Sequence, residues 1–259
     1  RNFEIRGFTG NINITAFSLV YKLPFILYFL IEKFKNKTYV IVTSIFILIT
    51  IINIFHLGSR GGILSLFLIL GLYTLYLIFN FKYVAIYLSL ISLIALSTSY
   101  YILKDSEISN PIKRTSTINI NTNDGSINQR IRYYKEIIEY VGKNPFKPIG
   151  VGMYKLKSIE FEKDEISQYI VPVHSHNDFL EILIENGIVS LLCYVLIFIS
   201  LIKRVLLQLF SKNNLYYLPI LSFLGVYFLD SFLNFPMARP VSFLFFNLIT
   251  AFIINDSKG

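Results

Sequence analysis

Three consecutive segments of the chain, residues 38–57, 61–79 and 83–103, contain no Asp, Glu, Lys or Arg. Each segment has about the 20 residues that an α-helix needs to cross the hydrocarbon core of a bilayer. In lipid, a helix pairs its backbone N–H and C=O groups within its own segment, which an irregular chain cannot do. These segments therefore predict an integral membrane protein, and they limit the architectures available to the rest of the chain.

Four further apolar runs bring the number of predicted spans to about seven. They cover residues 14–31, 178–202, 215–232 and 240–255. Lys22 and Pro24 interrupt the first of them, whereas Pro240 is a favourable first helical residue for the last. We therefore predict an all-α, polytopic transmembrane helical bundle that forms a single membrane domain over residues 1–259, with a large loop at residues 104–177.

The cysteine content and the distribution of charge exclude several classes of protein. Cys193 is the only cysteine and lies within an apolar run, so the chain has neither a disulfide framework nor a Cys-based metal site. The net charge of +8 comes from Lys and Arg spread between the spans, which argues against a nucleic acid partner. The chain begins at Arg1 without an initiator Met or a signal-like apolar core, and we expect it to be the C-terminal part of a longer polytopic chain.

Basic residues in the short connections predict the orientation of the bundle. They are concentrated in residues 32–37, 80–82 and 203–214, and in the C-terminal tail at Lys258. By the positive-inside rule these segments face the cytoplasm. Arg60, Arg239 and the loop at residues 104–177 then fall on the opposite side. Polar residues that are far apart in the sequence are thus predicted to meet on one external face.

The external loop has an organisation of its own. A Ser-, Thr- and Asn-rich stretch covers residues 106–128, and an amphipathic helical pattern follows at residues 127–141. Gly142 and the pair Asn144-Pro145 end that pattern. The loop is therefore predicted to contain at least one amphipathic helix.

The sequence His174-Ser175-His176-Asn177-Asp178 lies directly before the fifth predicted span. Ser175 and Asp178 have the spacing of a capping box, in which Ser175 accepts a hydrogen bond from the N–H of Asp178 and the Asp178 side chain reaches back. This prediction leaves His176 in the first helical turn, where the helix dipole favours a neutral imidazole. A neutral imidazole accepts a proton, so His176 is our candidate general base.

Other roles for the two histidines remain open. The pair could hold a metal ion together with Asp178 or a distant carboxylate, although residues two apart suit a metal only on an extended backbone. Either imidazole could also be a hydrogen-bonded residue at the membrane interface. We favour the base for His176 and a supporting role for His174.

Arginines on the same external face are candidates for binding an anion. Arg60 lies in Gly58-Ser59-Arg60-Gly61-Gly62, where glycines admit an anion to the backbone and the planar guanidinium matches phosphate oxygens. Arg130 and Arg132 lie on the predicted loop helix, and Arg239 lies between two prolines. The alternatives are a snorkelling anchor for Arg60 and Arg239 and a solvated helix face for the loop arginines.

These features together resemble the O-antigen ligase and O-antigen polymerase superfamily, over nearly the whole chain. The motifs that carry the resemblance are Gly10-Asn11-Ile12-Asn13, Ser59-Arg60-Gly61-Gly62, Arg130 with Tyr134, Asn144-Pro145 with Gly150-Val151-Gly152, and His176-Asn177-Asp178-Phe179-Leu180 with Glu185-Asn186-Gly187. The resemblance implies a polytopic glycosyltransferase of the GT-C type. Such enzymes move a glycan from undecaprenyl diphosphate to an acceptor on the periplasmic face of the bacterial inner membrane.

The resemblance also implies roles for individual residues. Arg60 and Arg130 match the arginines that hold the donor diphosphate, and His176 matches the histidine that activates the acceptor hydroxyl. Tyr134 stands where a Trp is common. The further predicted substrate-binding residues are His174, Asn177, Arg132 and Arg239.

The chemistry of such a transfer agrees with these roles. The departing diphosphate needs its charge stabilised, by either a divalent metal or paired arginines. The external segments offer arginines and no membrane-proximal Asp-x-Asp, so we expect no metal and no cofactor. With one base and no evident nucleophile, direct displacement would invert the anomeric centre.

Several functions fit these expectations. The acceptor could be lipid A core, which we favour, a growing polymer as in an O-antigen polymerase, or a protein hydroxyl. A transporter or flippase of lipid-linked sugars is a rival, with Lys22, Arg60 and His176 along its path, but it would show paired broken spans. A non-catalytic subunit that binds lipid diphosphate is a third possibility, and a base at His176 would distinguish the enzyme from it.

Overall fold

The computed structural model describes residues 9–103, 125–162, 172–211 and 214–256, and within these ranges it contains helices and no strand. The helices are α1 Ile12–Val20, α2 Leu23–Glu32, α3 Lys37–Leu57, α4 Arg60–Asn80, α5 Lys82–Leu103, α6 Gly125–Lys143, α7 Tyr154–Glu162, α8 Asp178–Asn186, α9 Ile188–Ser211, α10 Tyr217–Leu233 and α11 Pro240–Asp256, with a short 3-10 helix at Pro236–Ala238. The prediction of an all-α helical membrane bundle is confirmed.

The helices group into two compact units. The first holds α1 to α5 together with residues 204–227, and the second holds α6 to α8, α11 and the remaining parts of α9 and α10. Among the described residues, five helical segments are long and apolar enough to cross a membrane: residues 12–32, α3, α4, α5 and α9. The other two predicted spans correspond to α10 and α11, which are apolar but have only 17 residues each.

The first predicted span is two helices, because the chain turns at Tyr21 and Lys22. Pro24 has no N–H to donate and its ring crowds the carbonyl four residues earlier, so α1 ends before it and α2 begins with it in the first turn. Lys22 is exposed at this turn, not buried within a helix. The buried Tyr73 hydroxyl of α4 donates a hydrogen bond to the carbonyl of Pro24, which fixes the start of α2 against α4.

The tight connection between α3 and α4 places Arg60 at the first position of α4. Gly58 ends α3 with a φ of 62°, a conformation that favours glycine. Ser59 caps α4, since its Oγ accepts the N–H of Gly62 at 3.3 Å and donates to Oδ1 of Asn13 at 2.8 Å. Gly62 faces α1 so closely that a Cβ on it would lie 2.8 Å from the Cβ of Ala16. This glycine is required for helix packing.

The structure replaces the predicted span at 178–202 with two helices. The helix that begins at Asp178 ends at Asn186, Gly187 follows with a φ of 87°, and the membrane-length helix α9 begins at Ile188. Hydropathy averaged over residues 178–202 did not reveal this break, although Glu185-Asn186-Gly187 is a sequence of the kind that ends a helix. As a result, α8 is a separate short helix before the span.

The predicted amphipathic helix at 127–141 is α6, and it packs on α7 and α8. Ile137 of α6, Tyr154 of α7 and Ile184 of α8 form a buried apolar cluster. The Ser-, Thr- and Asn-rich stretch before it lies, as far as residue 124, outside the described residues. These three helices therefore form one packed group within the second unit.

Gly62→Ala should destabilise the protein, because the added methyl group meets Ala16, whose Cβ cannot move without its backbone. Overpacking of this kind costs about 1–3 kcal/mol. We expect a lower unfolding temperature for the detergent-solubilised protein. Gly71→Ala in the same helix is the matched control, since nothing lies within 4 Å of its added Cβ; an equal loss in both variants would contradict the packing argument.

Candidate functional site

The backbone before α8 differs from the predicted capping box. Asn177, not Ser175, is the N-cap, and its Oδ1 accepts the N–H of Leu180 at 3.1 Å. The hydroxyl of Ser175 donates to the carbonyl of Asn177 at 2.9 Å. Asp178 does not reach back, because its Oδ2 accepts the N–H of Met237 at 3.1 Å. His176 therefore precedes the helix and does not lie in its first turn.

Glu181 in the first turn of α8 fixes the segment that carries both histidines. Its Oε1 lies 2.9 Å from Nδ1 of His174, and its Oε2 accepts the backbone N–H of Ser175 at 2.8 Å. The Ser175 hydroxyl lies 3.1 Å from the same Oε2. One carboxylate thus holds two successive residues. Nothing in the sequence distinguishes Glu181, because an acidic residue in a first helical turn is common for dipole reasons alone.

His176 has a backbone conformation that few side chains adopt. Its φ is 59°, and it is the only non-glycine residue with positive φ among those described. The hydroxyl of Tyr134 on α6 donates to the His176 carbonyl at 3.1 Å, which helps to hold this conformation. The imidazole meets Phe235 edge-on with 5.0 Å between ring centroids, and its Nδ1 is buried without a hydrogen-bond partner among the described residues. Such a strained residue persists only where its surroundings fix it.

The imidazole of His176 is uncharged at neutral pH. Burial lowers its pKa to about 4, and the positive charges of Arg130 and His174 act in the same direction. The sequence analysis predicted a neutral imidazole from the helix dipole; the structure gives burial as the main cause. His176 therefore carries a free lone pair over the whole physiological range of pH.

His174 has the opposite electrostatic environment. The hydrogen bond that its ring donates to the Glu181 carboxylate raises the pKa of His174 above the usual value, against the opposing effect of burial. Its ring stacks on Phe235 with 4.5 Å between centroids and 18° between planes. Because its Nδ1 is already paired with a carboxylate, His174 is suited to positioning and to supplying positive charge. The two histidines thus have pKa values that are shifted in opposite directions.

Phe235 connects the histidines to Arg239. Besides the two imidazoles, the guanidinium of Arg239 lies over the Phe235 ring, 5.6 Å from its centroid. Arg239 is buried, and its Nη2 donates to Oδ2 of the fully buried Asp230 at 2.6 Å. This ion pair satisfies one edge of the guanidinium. A phosphate contact by Arg239 stays a prediction.

Phe235 lies 59 or more positions after the histidines, and no sequence pattern indicated that it contacts them.

Asp178 joins α8 to the segment that contains Phe235. Its carboxylate is buried, and desolvation raises its pKa to about 7, while the hydrogen bond from the N–H of Met237 has the opposite effect. The sequence analysis considered this carboxylate for capping or for a metal. Among the described residues, no group of three His, Cys, Asp or Glu side chains is arranged to hold a metal ion.

The second unit brings together most of the predicted site residues. His174, His176 and Asn177 share one segment, and Arg130 on α6 is close enough for its charge to act on the pKa values of His176 and Tyr134. Arg132 is partly buried on the same helix. Arg60 belongs to the first unit, so its place in the site remains a proposal.

A family model described as O-antigen ligase matches residues 23–195, which is more than half of the chain. The matched range includes Arg60, Arg130, Arg132 and the segment from His174 to Asp178, and it ends before Phe235 and Arg239. No curated protein matches the chain.

The two site histidines should titrate far apart. We expect His176 to titrate near pH 4 and His174 above the usual value of about 6.5, as measured by NMR on protein with 15N-labelled histidine. His56 is the only other histidine, so single variants assign all signals. Glu181→Gln should lower the pKa of His174 by removing its anionic partner, and it should also lower that of His176. A rise of either pKa in this variant would contradict the assignment.

Proposed function

The chain belongs to the O-antigen ligase family, and on this premise we propose that it transfers a glycan from undecaprenyl diphosphate to lipid A core at the periplasmic face of the bacterial inner membrane. Family membership and the apolar helices make it a multi-pass membrane enzyme of lipopolysaccharide biosynthesis. One observation carries the mechanism. The imidazole of His176 is uncharged and lies within electrostatic reach of Arg130.

His176 acts as the general base in this proposal. The acceptor hydroxyl must lose its proton as it attacks the anomeric carbon, and a positioned base contributes about 100-fold to 10,000-fold to such a step. Nδ1 of His176 is buried and has no partner in the described part of the chain, so Nε2 is the nitrogen assigned to the hydroxyl proton. The contacts from Tyr134 and Phe235 fix the ring and its backbone for this role.

Arg130 and Arg60 bind the donor diphosphate. As the glycosidic bond breaks, negative charge grows on the phosphate oxygens, and positively charged guanidinium groups stabilise it. The influence of Arg130 on His176 supports a location beside the base. Arg60 is the first residue of α4, where the helix dipole also favours an anion. Its participation rests on the family resemblance and on this local position.

Donor binding strengthens the base. A histidine with a pKa of about 4 is a weak proton acceptor, and part of that depression comes from the charge of Arg130. A diphosphate on Arg130 neutralises this charge and brings further negative charge near the ring, so it raises the pKa of His176. The base thus becomes effective when the donor is in place. This coupling protects the lipid-linked donor from activation of a stray water molecule.

We further propose that the transfer inverts the anomeric centre and that arginines replace a metal ion in stabilising the leaving group. The reason for inversion is that a single base at His176 is sufficient for direct attack by the acceptor hydroxyl on the anomeric carbon, from the side opposite the leaving diphosphate. The same machinery would serve a polymerase or a protein glycosyltransferase. The acceptor is therefore the part of the proposal that a direct assay must decide.

A strain that lacks the gene should accumulate lipid-linked polymer and lose polymer attached to lipid A, as seen on gels of its surface glycans. His176→Ala should fail to restore attachment, with a loss of about 100-fold or more, whereas the matched control His56→Ala should restore it. If His176→Ala restores attachment to within tenfold of the normal level, His176 is not the general base.

The deletion strain also identifies the acceptor. A single capped repeat would indicate a polymerase, and normal lipopolysaccharide with missing glycoprotein would indicate a protein acceptor.

Arg60→Lys should lower transfer by about tenfold or more, because lysine keeps the charge but cannot make two parallel hydrogen bonds to a phosphate. The loss should be measured as a rate with lipid-linked glycan in membranes. Arg204→Lys, a conservative change in α9, is the control and should be neutral. Equal rates for both variants would make Arg60 a membrane anchor.

A further inference from the structure

Helix α7 carries exposed apolar side chains on its outer side as well as buried residues on its inner side. Tyr154 and Ser158 point into the group formed by α6, α7 and α8 and are buried. The opposite side carries Met153, Leu156 and Ile159, which recur at helical spacing and are exposed. A helix that packs on a protein with one face and meets water with the other has a polar outer face. The outer side of α7 departs from this pattern, because the apolar Leu156 and Ile159 lie there beside the charged Lys155 and Glu160.

The turn before α7 extends this apolar surface. Phe146 is 89% exposed and Val151 is 80% exposed, although both are large apolar side chains. Gly150 and Gly152 flank Val151 with φ values of 98° and 71°, conformations that favour glycine and that hold Val151 at the tip of the turn. We call Phe146, Val151, Met153, Leu156 and Ile159 together the apolar patch. Exposed apolar surface of this kind marks an interaction site.

The turn before α7 is hydrogen-bonded to residues that directly precede a membrane-length helix. The N–H of Ile149 donates to the carbonyl of Ile184 at 2.9 Å, and the N–H of Gly150 donates to the carbonyl of Glu185 at 3.0 Å. These carbonyls belong to the last turn of α8. After Gly187, α9 begins at Ile188, and Val189 in its first turn is 70% exposed. The patch is therefore tied by hydrogen bonds to the residues immediately before a span.

Positive charge surrounds the patch. Between residues 143 and 157 the sequence has four lysines and no acidic residue. Lys143 and Lys157 form ion pairs with Glu139 and Glu160, and Lys147 and Lys155 are exposed beside the patch. Apolar side chains with flanking lysines have the chemistry of a segment that binds an anionic membrane surface.

We infer that residues 146–159 form an interfacial anchor, in which the apolar patch inserts among lipid headgroups and the lysines contact anionic phospholipids. An interfacial segment of this type sits about 5–10 Å into the boundary between headgroups and acyl chains. The anchor fixes α6 and α8 relative to the membrane surface, and through Tyr134 and Glu181 it fixes the segment of His176. It would hold that segment at the height of a lipid-borne diphosphate.

The absence of tryptophan from the sequence makes a direct test possible. Val151→Trp and Phe146→Trp each place a single fluorophore in the patch at an exposed position, so each should fold. The full chain is reconstituted in vesicles that contain brominated phospholipids. We expect strong loss of fluorescence when the bromines are near the headgroups and weaker loss when they are near the chain ends. Leu93→Trp, exposed in the middle of α5, should show the reverse order.

Lys135→Trp on the exposed side of α6 is the matched control outside the patch. If Trp at positions 146 and 151 is quenched by brominated lipid no more than Trp at position 135, the proposed membrane anchor is wrong. Blue-shifted emission without lipid quenching would also overturn it, since protein, a partner or a second copy, would then cover the patch. Removal of anionic lipid, or the pair Lys147→Glu and Lys155→Glu, should reduce the quenching; unchanged quenching would overturn the role of the lysines. None of these measurements depends on transfer activity.

Discussion

The carboxylate of Glu181 holds together the segment from which the candidate site is built. It accepts the backbone N–H of Ser175 and pairs with the ring of His174, so two residues before α8 are fixed to a residue inside it. Asn177 then caps the helix. His176 therefore lies between two residues that are each held by hydrogen bonds, and its own backbone is left-handed. The strain at His176 is sustained because its neighbours on both sides have no freedom to relax it.

This arrangement gives two adjacent histidines opposite properties. The ring of His174 faces a carboxylate, which favours its protonated form, whereas the ring of His176 is buried and close to positive charge, which favours its neutral form. A single shared neighbour, Phe235, supports both rings. One imidazole thus supplies charge and position, and the other supplies a lone pair. A transfer reaction that removes a proton beside an anionic leaving group needs both.

The membrane imposes a second requirement on this site. The donor proposed above would present its diphosphate at the boundary between lipid and water, and the proposed base would have to lie at the same height. The break at Gly187 serves this requirement, because it separates the short helix that carries the site from the span that begins at Ile188. The turn at Val151 is hydrogen-bonded to the end of that short helix. Contact of the turn with lipid headgroups would set the height of the whole group.

The sequence by itself determined the class of the protein, and it predicted His176 as the residue on which the proposed mechanism depends. An uncharged run of membrane length must form a helix, because unpaired backbone N–H and C=O groups are unfavourable in lipid. The length and composition of such a run are local properties of the sequence. The amphipathic period likewise predicted α6 almost to its ends. The tertiary structure alone decided the N-cap, the break at Gly187, and the partners Glu181, Phe235 and Asp230. Each depends on which of several competing hydrogen bonds and contacts the packed chain satisfies. For Asp178, Phe235 and Asp230 that choice involves residues tens of positions apart, which no local pattern records.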